Sequence, residues 1–179
     1  MTGKCRTAVL FAFVVLLSWV AGGTPSALAH DPNLARWDIS AKGRTVSIAV
    51  RTSGAGLFSE LRAQDPDADW DGMSSEAYRA RIDAFLEQAV DFRADGRRLP
   101  VKVEAVNLGH EVTATVRLRR RRLSPLEAFT FDLSEVSSRR NQHHLVFVKH
   151  DAGHERFMLH RSNETGLVLR WNATGEPTK

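Results

Sequence analysis

The sequence predicts a mostly β (α+β) fold, namely an antiparallel β-sandwich or open barrel with one inserted amphipathic helix at about residues 74–90. Short segments in which apolar and polar residues alternate recur along the chain, and turn residues separate them at intervals of roughly 8–12 positions. One segment instead repeats its apolar residues with the period of a helix. No internal repeat or linker divides these elements, so we expect one domain.

The first element, residues 1–29, is predicted to be a cleavable signal peptide. A short basic segment precedes an apolar stretch over 8–22, and 27–29 (Ala-Leu-Ala) supply the small residues that a signal peptidase recognises. Cleavage there leaves 30–179 as a single exported β-rich domain, periplasmic or extracellular. No second run of about 18 apolar residues follows, so we expect no transmembrane span after cleavage.

Charge and cysteine content exclude several classes of function. The 179 residues include 25 Lys and Arg, 21 Asp and Glu, and a single cysteine. Because Lys4, Arg6 and Cys5 fall in the predicted leader, the exported part is nearly neutral and free of cysteine. A disulfide scaffold is therefore excluded, and the charge gives no reason to expect nucleic acid. The arginine-rich segment 117–122 is predicted to lie on a strand and to protect an exposed sheet edge.

The strands are predicted from the alternation of apolar and polar side chains. They cover 37–40, 45–50, 91–93, 101–105, 112–118, 129–133, 145–149, 156–160 and 166–171. Val46, Ile48 and Val50 share one face, and Asp95-Gly96 predicts a hairpin turn. Residues 53–56 are predicted to end the second strand, with a short amphipathic link after them.

The helix is predicted from an apolar stripe that begins at Tyr78. Its members are Tyr78, Ile82, Phe85, Leu86, Ala89 and Val90. Ser74 or Ser75 is a suitable N-cap, and Glu76 in the first turn favours the positive end of the helix dipole.

An acidic loop precedes the helix and is the first candidate metal site. Its predicted ligands are Asp67, Asp69, Asp71 and Glu76, and oxygen ligands of this kind suit calcium. Counted from Asp67, Gly72 occupies the glycine position of an EF-hand loop, but Tyr78 occupies position 12. Counted from Asp65, Glu76 reaches position 12 but Trp70 replaces the glycine. The alternative is a solvated acidic turn that stabilises the helix N-terminus.

Histidines near the end of the chain are the second candidate site. The predicted ligands are His144, His150, His154 and His160. If 151–153 form a three-residue hairpin loop, His150 faces His154 and His144 faces His160, close enough for two imidazoles to share nickel, copper or zinc. In this arrangement Leu145, Phe147, Phe157 and Leu159 form the core face. The alternative is a solvated hairpin without a metal.

Two further features are noted. His30 becomes the N-terminal residue after cleavage, and its amine and imidazole can chelate copper. Asn163 and Asn172 lie in glycosylation sequons, which matter only in a host that glycosylates. The chain lacks a Gly-x-Ser-x-Gly motif, a phosphate-binding loop and a catalytic cysteine, so we expect no enzyme activity.

Several segments together resemble a known family. They are the His-Asp-Pro that follows the leader, 36–39, the acidic loop with Gly72, 92–100, and 141–146. This pattern is similar to the extracytoplasmic domain that precedes the membrane helices of HupE/UreJ-type proteins, a group associated with nickel and cobalt transport. The resemblance covers most of residues 30–179 and implies a membrane partner that handles a metal.

The expected function is therefore that of an exported, non-catalytic accessory or binding module. It is expected to bind a divalent metal, calcium or else nickel, copper or zinc, and to work with a membrane protein or another exported protein. One alternative is a structural interaction domain that binds no metal. A copper enzyme that uses His30 is the third hypothesis.

Overall fold

The fold consists of two β-sheets and two helices in a computed structural model that describes residues 31–94, 96–120, 126–137, 140–150, 153–164 and 166–173. In chain order the elements are β1 (Leu34–Lys42), β2 (Thr45–Ser53), α1 (Gly54–Gln64), α2 (Ser75–Ala89), β3 (Asp91–Ala94), β4 (Arg97–Leu99), β5 (Lys102–Asn107), β6 (Glu111–Arg119), β7 (Ala128–Asp132), β8 (His143–His150), β9 (Gly153–His160) and β10 (Val168–Asn172). The predicted signal peptide, His30 and residues 151–152 of the predicted hairpin loop lie outside the described residues.

The two sheets pack against each other through their apolar faces. The larger has the strand order β5-β6-β2-β1-β8-β9, and the smaller has the order β10-β7-β3-β4. Trp37 of the larger sheet meets Phe131 of the smaller one edge to face, with 5.4 Å between ring centroids. The prediction of a mostly β, α+β fold is thus confirmed in a sandwich-like form.

The larger sheet is not wholly antiparallel, because β1 and β8 run parallel with Leu34 opposite His143. The strand before β8 is β7, which belongs to the smaller sheet. Between β7 and β8 the chain therefore passes from the smaller sheet back to the larger one. The alternation of apolar residues within a strand does not specify its direction, so this pair could not be predicted from pattern.

The predicted helix is confirmed as α2, with Ser74 as its N-cap. The Ser74 hydroxyl accepts a hydrogen bond from the Ala77 N–H at 3.2 Å. Ile82, Phe85 and Leu86 are buried against the larger sheet. The apolar stripe therefore faces the core, as its period predicts.

The prediction of a single helix was wrong, since α1 occupies the segment that was expected to be a break and a short link. Ser53 caps α1 by accepting a hydrogen bond from the Gly56 N–H at 3.0 Å. A Cβ at Gly56 would lie only 2.3 Å from the Pro32 carbonyl oxygen, so glycine permits this close approach. Burial of Leu57 and Leu61 outweighs the low helix propensity of the glycines.

The inner face of the larger sheet forms one hydrophobic core with the helices and the smaller sheet. Val46, Ile48 and Val50 are all buried on it, as predicted. The predicted hairpin between β3 and β4 is also present, and Gly96 has a φ of +70° that favours glycine, while Asp95 lies outside the described residues. Within the described residues, no helix is long and apolar enough to cross a membrane.

Candidate metal centre

The histidine hairpin formed by β8 and β9 has a register one residue away from the predicted one. His143 lies opposite His160, Lys149 opposite His154, and His150 opposite Gly153. The strand β9 begins at Gly153 instead of one residue later, which moves every partner by one. The predicted pairs His144/His160 and His150/His154 are therefore wrong, because a shift of one residue exchanges the two faces.

The predicted core face of β8 was wrong for the same reason. Val146 and Val148 are buried and face the core, whereas Leu145 and Phe147 are only half-buried on the outer face. On β9 the prediction held, since Leu159 is buried on the inner side.

His144 is a core residue. Its imidazole has no exposed surface, and its Nδ1 accepts a hydrogen bond from the Trp37 indole N–H at 3.0 Å. A ring nitrogen that accepts a hydrogen bond carries no proton, so the Nδ1 lone pair is already used. The role of His144 in this structure is to satisfy the buried indole N–H.

His150 and His154 occupy two further, separate environments. His150 Nε2 lies 3.1 Å from Glu155 Oε1, and the Trp171 indole N–H donates to the same oxygen at 3.1 Å. Since Trp171 belongs to the smaller sheet, this group joins the two sheets near the hairpin. His154 is exposed on the outer face opposite Lys149.

His160 forms a pair with a histidine that was not among the predicted ligands. The imidazoles of His143 and His160 are stacked, with 4.1 Å between centroids and 12° between planes. Both side chains are partly exposed on the outer face. The Ser162 N–H donates to His160 Nδ1 at 3.2 Å, and the Ser162 hydroxyl lies 2.5 Å from the same nitrogen. The correct register, with a two-residue turn, would have predicted this pair.

The acidic loop uses its carboxylates in local contacts. Asp65 forms an ion pair with Arg81, and Asp69 accepts a hydrogen bond from the Gly72 N–H at 3.1 Å. Asp71 is 94% exposed and lies 4.0 Å from Arg62. Asp67 and Glu76 are also exposed. Across the described part of the chain, no group of three or more His, Cys, Asp or Glu side chains is placed to hold a metal.

Trp70 explains why this loop departs from the EF-hand pattern at the inner glycine position. Its indole N–H donates to the Asp65 carbonyl at 3.0 Å, and its ring is buried. It meets Phe58 of α1 and Tyr78 of α2 edge to face, with centroid distances of 5.5 and 6.3 Å. Trp70 thus anchors the loop to both helices, a role that glycine cannot fill.

These three aromatic residues also line an open groove of about 470 Å³, which the sequence did not predict. Met73 and Leu108 complete its apolar wall. The groove depends on α1, and the sequence predicts a break and a short link in place of that helix, so it does not predict the groove. Burial raises the pKa of the Tyr78 hydroxyl above its ordinary value.

The arginine-rich segment does not protect a sheet edge, because β6 lies between β5 and β2. Arg117 and Arg119 are exposed on the outer face, whereas Arg120 is buried. Residues 121 and 122 lie outside the described residues.

No model of a known protein family matches the chain, and no curated protein matches it.

Proposed function

We propose that the chain is an exported, non-catalytic accessory module that binds a divalent transition metal, nickel, copper or zinc, through His143 and His160. The leader-like 1–29 supports export, and the resemblance to the HupE/UreJ-type domain supports a membrane partner that handles the metal. The observation that carries the proposal is the cross-strand imidazole pair, 4.1 Å apart.

The pair has the features that a two-histidine chelate requires. The two residues are directly opposite each other on antiparallel strands, so the backbone holds the two rings side by side. Their planes must open from the stacked arrangement for both lone pairs to reach one ion. Because both rings are partly exposed, this rotation does not disturb the core.

Ser162 can orient His160 for a metal. In this structure His160 Nδ1 accepts from the Ser162 N–H, so metal binding through Nε2 requires the other tautomer. The ring proton then resides on Nδ1, the bond from the Ser162 N–H is given up, and the Ser162 hydroxyl is within hydrogen-bonding distance to accept the proton. Such an outer partner fixes the tautomer and the ring orientation of a metal-binding histidine. Water or a group from the partner protein would complete the coordination of the ion.

Calorimetric titration with nickel, copper and zinc tests the proposal. We expect binding to the wild type, loss of binding in His143→Ala and in His160→Ala, and retention in His154→Ala, the matched exposed histidine on the same face. Equal binding by the His143→Ala and wild-type proteins would contradict the proposal. Removing the hydroxyl in Ser162→Ala should lower the affinity for the metal about tenfold.

Calcium is a separate arm of the same experiment, since the acidic-loop site at Asp67, Asp69, Asp71 and Glu76 stays a prediction. If the heat of calcium binding is lost in Asp69→Asn/Asp71→Asn and the transition metals give no heat of binding, the binding function belongs to the loop. The histidine variants serve as its controls.

The second candidate is the interaction domain without a metal, which the aromatic groove favours. An open apolar groove of about 470 Å³ is large enough to receive side chains of a partner. We expect the fluorescent apolar probe anilinonaphthalene sulfonate to bind there and to lose affinity in Phe58→Ala. The control Met158→Ala removes an exposed apolar side chain elsewhere, and equal losses in both variants would reject the groove.

A further inference from the structure

The outer face of the six-stranded sheet carries a concentration of positive charge. The exposed basic residues whose strand register places them on this face are Arg36, Lys42, Arg51, Lys102, Arg117, Arg119, Lys149 and Arg156. The acidic residues on or beside it are Asp38, Glu104 and Glu111, of which Asp38 forms an ion pair with Arg36 and Glu104 forms one with Arg117. The formal net charge of the whole chain is only +4, so the face is much more basic than the rest.

The charge is separated across the sheet. Both helices pack on the inner face, where Leu57, Phe85 and Leu86 meet Trp37 and Val50 around a shared cavity. The acidic loop joins these helices and therefore belongs to the inner side. A basic face opposite an acidic loop gives the molecule a dipole, which orients it in the electric field of a charged surface. Charges within one or two Debye lengths of that surface contribute most to this orientation.

A small apolar patch lies on β8 and β9, beside Arg36, Lys149 and Arg156. Leu145 lies opposite Met158, and Phe147 lies opposite Arg156, on neighbouring rows of the outer face. Met158 is 46% exposed and is the one large hydrophobic residue with such exposure in the described chain. The Arg36 guanidinium lies 4.3 Å from the centroid of the Phe147 ring, so cation and apolar surface are presented together.

The outer face is broad. Six strands at ordinary spacing extend about 24 Å across, and strands of eight or nine residues extend roughly 27–30 Å along. The basic groups are distributed over the rows instead of following one groove. A broad surface with scattered cations and a few partly exposed apolar side chains is suited to an extended anionic surface.

We infer that this outer face docks the domain on an anionic phospholipid bilayer, with the arginines and lysines at the lipid phosphates and the Leu145–Phe147–Met158 patch at the headgroup boundary. The docking requires no metal, but His143 and His160 lie on the same face, two residues from Leu145 and Met158, and would therefore lie close to the bilayer. This attachment would hold the domain with the sheet parallel to the membrane and the acidic loop directed away from it.

Vesicle co-sedimentation of the protein recovered after export tests this inference. We expect binding to phosphatidylglycerol/phosphatidylcholine vesicles at low salt, release at 0.5 M sodium chloride, and no binding to pure phosphatidylcholine. Arg51→Glu/Arg119→Glu/Arg156→Glu should lower the affinity roughly a hundredfold. Thermal unfolding of the variant checks that the fold is retained.

The matched control is Arg79→Glu/Arg97→Glu/Arg170→Glu, which changes the net charge equally through exposed residues on α2, β4 and β10. It should retain at least a third of the wild-type affinity. Equal losses in the two triple variants would show that net charge alone acts and would overturn the inference. Failure to bind the anionic vesicles, or tighter binding to duplex DNA than to vesicles, would also overturn it.

Discussion

His143 and His144 are consecutive residues of one strand, yet the structure gives them opposite roles. His144 points into the core and accepts a hydrogen bond from the Trp37 indole. His143 points outward and stacks on His160. The chemistry of the two side chains is identical, so the face of the strand alone decides which of them is available to a ligand. The number of histidines in a segment therefore does not show which of them can bind a ligand until the strand register is known.

The same contrast holds for the whole six-stranded sheet. Its inner face is apolar and its buried polar groups, such as His144, serve the packing. Its outer face carries arginines, lysines and the histidine pair. Substitutions on the inner face should alter stability, and those on the outer face should alter binding.

Trp37→Ala should have the largest effect on stability. Trp37 is 1% exposed and contacts both Phe131 and His144. We expect the free energy of unfolding to fall by about 3–5 kcal/mol, since the change removes a large buried side chain and leaves a cavity. Urea denaturation measures it. A loss below about 1 kcal/mol would mean that the two sheets do not pack through this residue.

Substitution of the two neighbouring histidines tests whether the inner and outer faces of β8 have different roles. His144→Ala removes the acceptor of the buried Trp37 indole N–H, and we expect a loss of about 2–4 kcal/mol. His143→Ala removes only a partly exposed stacking partner and should cost less than about 1 kcal/mol. Equal losses would contradict the assignment of the faces.

Glu155→Ala examines the contact that joins the sheets at the hairpin. It removes the acceptor shared by Trp171 and His150, and we expect a loss of about 1 kcal/mol because Glu155 is 44% exposed. Glu164→Ala, an exposed carboxylate on the following loop, is the control and should be close to neutral. Thermal unfolding of both variants makes the comparison.

Asp83→Asn should give the smallest change and the only gain. Burial, and then the charge of Glu87, raise the pKa of Asp83 above its ordinary value of 3.8. The folded state thus holds this proton more strongly than the unfolded state, and stability falls as the pH rises through that window. Asp83→Asn should therefore be more stable than the wild type at pH 7, with the difference disappearing below pH 3.8.

Glu87→Gln serves as the check on the cause of this shift. It removes the neighbouring charge while its amide oxygen can still accept from the Val103 N–H. If the gain in Asp83→Asn is the same at pH 3 and pH 7, the raised pKa is not its origin.

Much of the fold follows from local pattern, because each strand needs only an alternating apolar face and α2 needs only its stripe and the Ser74 cap. What the pattern could not specify was long-range: the parallel pairing of β1 with β8, and the helix α1. Gly54 and Gly56 look like helix breakers, and the close approach of Pro32 that requires Gly56 is visible only in three dimensions.

The candidate site was predictable in its residue types but not in its members. The abundance of histidines near the hairpin indicated imidazole ligands, and His160 is indeed at the pair. The ligand set His144, His150, His154 and His160 depended on a loop one residue longer, and that difference placed His144 in the core and brought in His143.

The proposed metal site is tested most directly by zinc titration of the protein while the imidazole resonances of the histidines are followed by NMR. We expect the signals of His143 and His160 to shift together and to reach their end points at the same zinc ratio, while the signals of His144 and His154 stay unchanged. Absence of any shift up to millimolar zinc, or shifts at His150 and His154 instead, would contradict it.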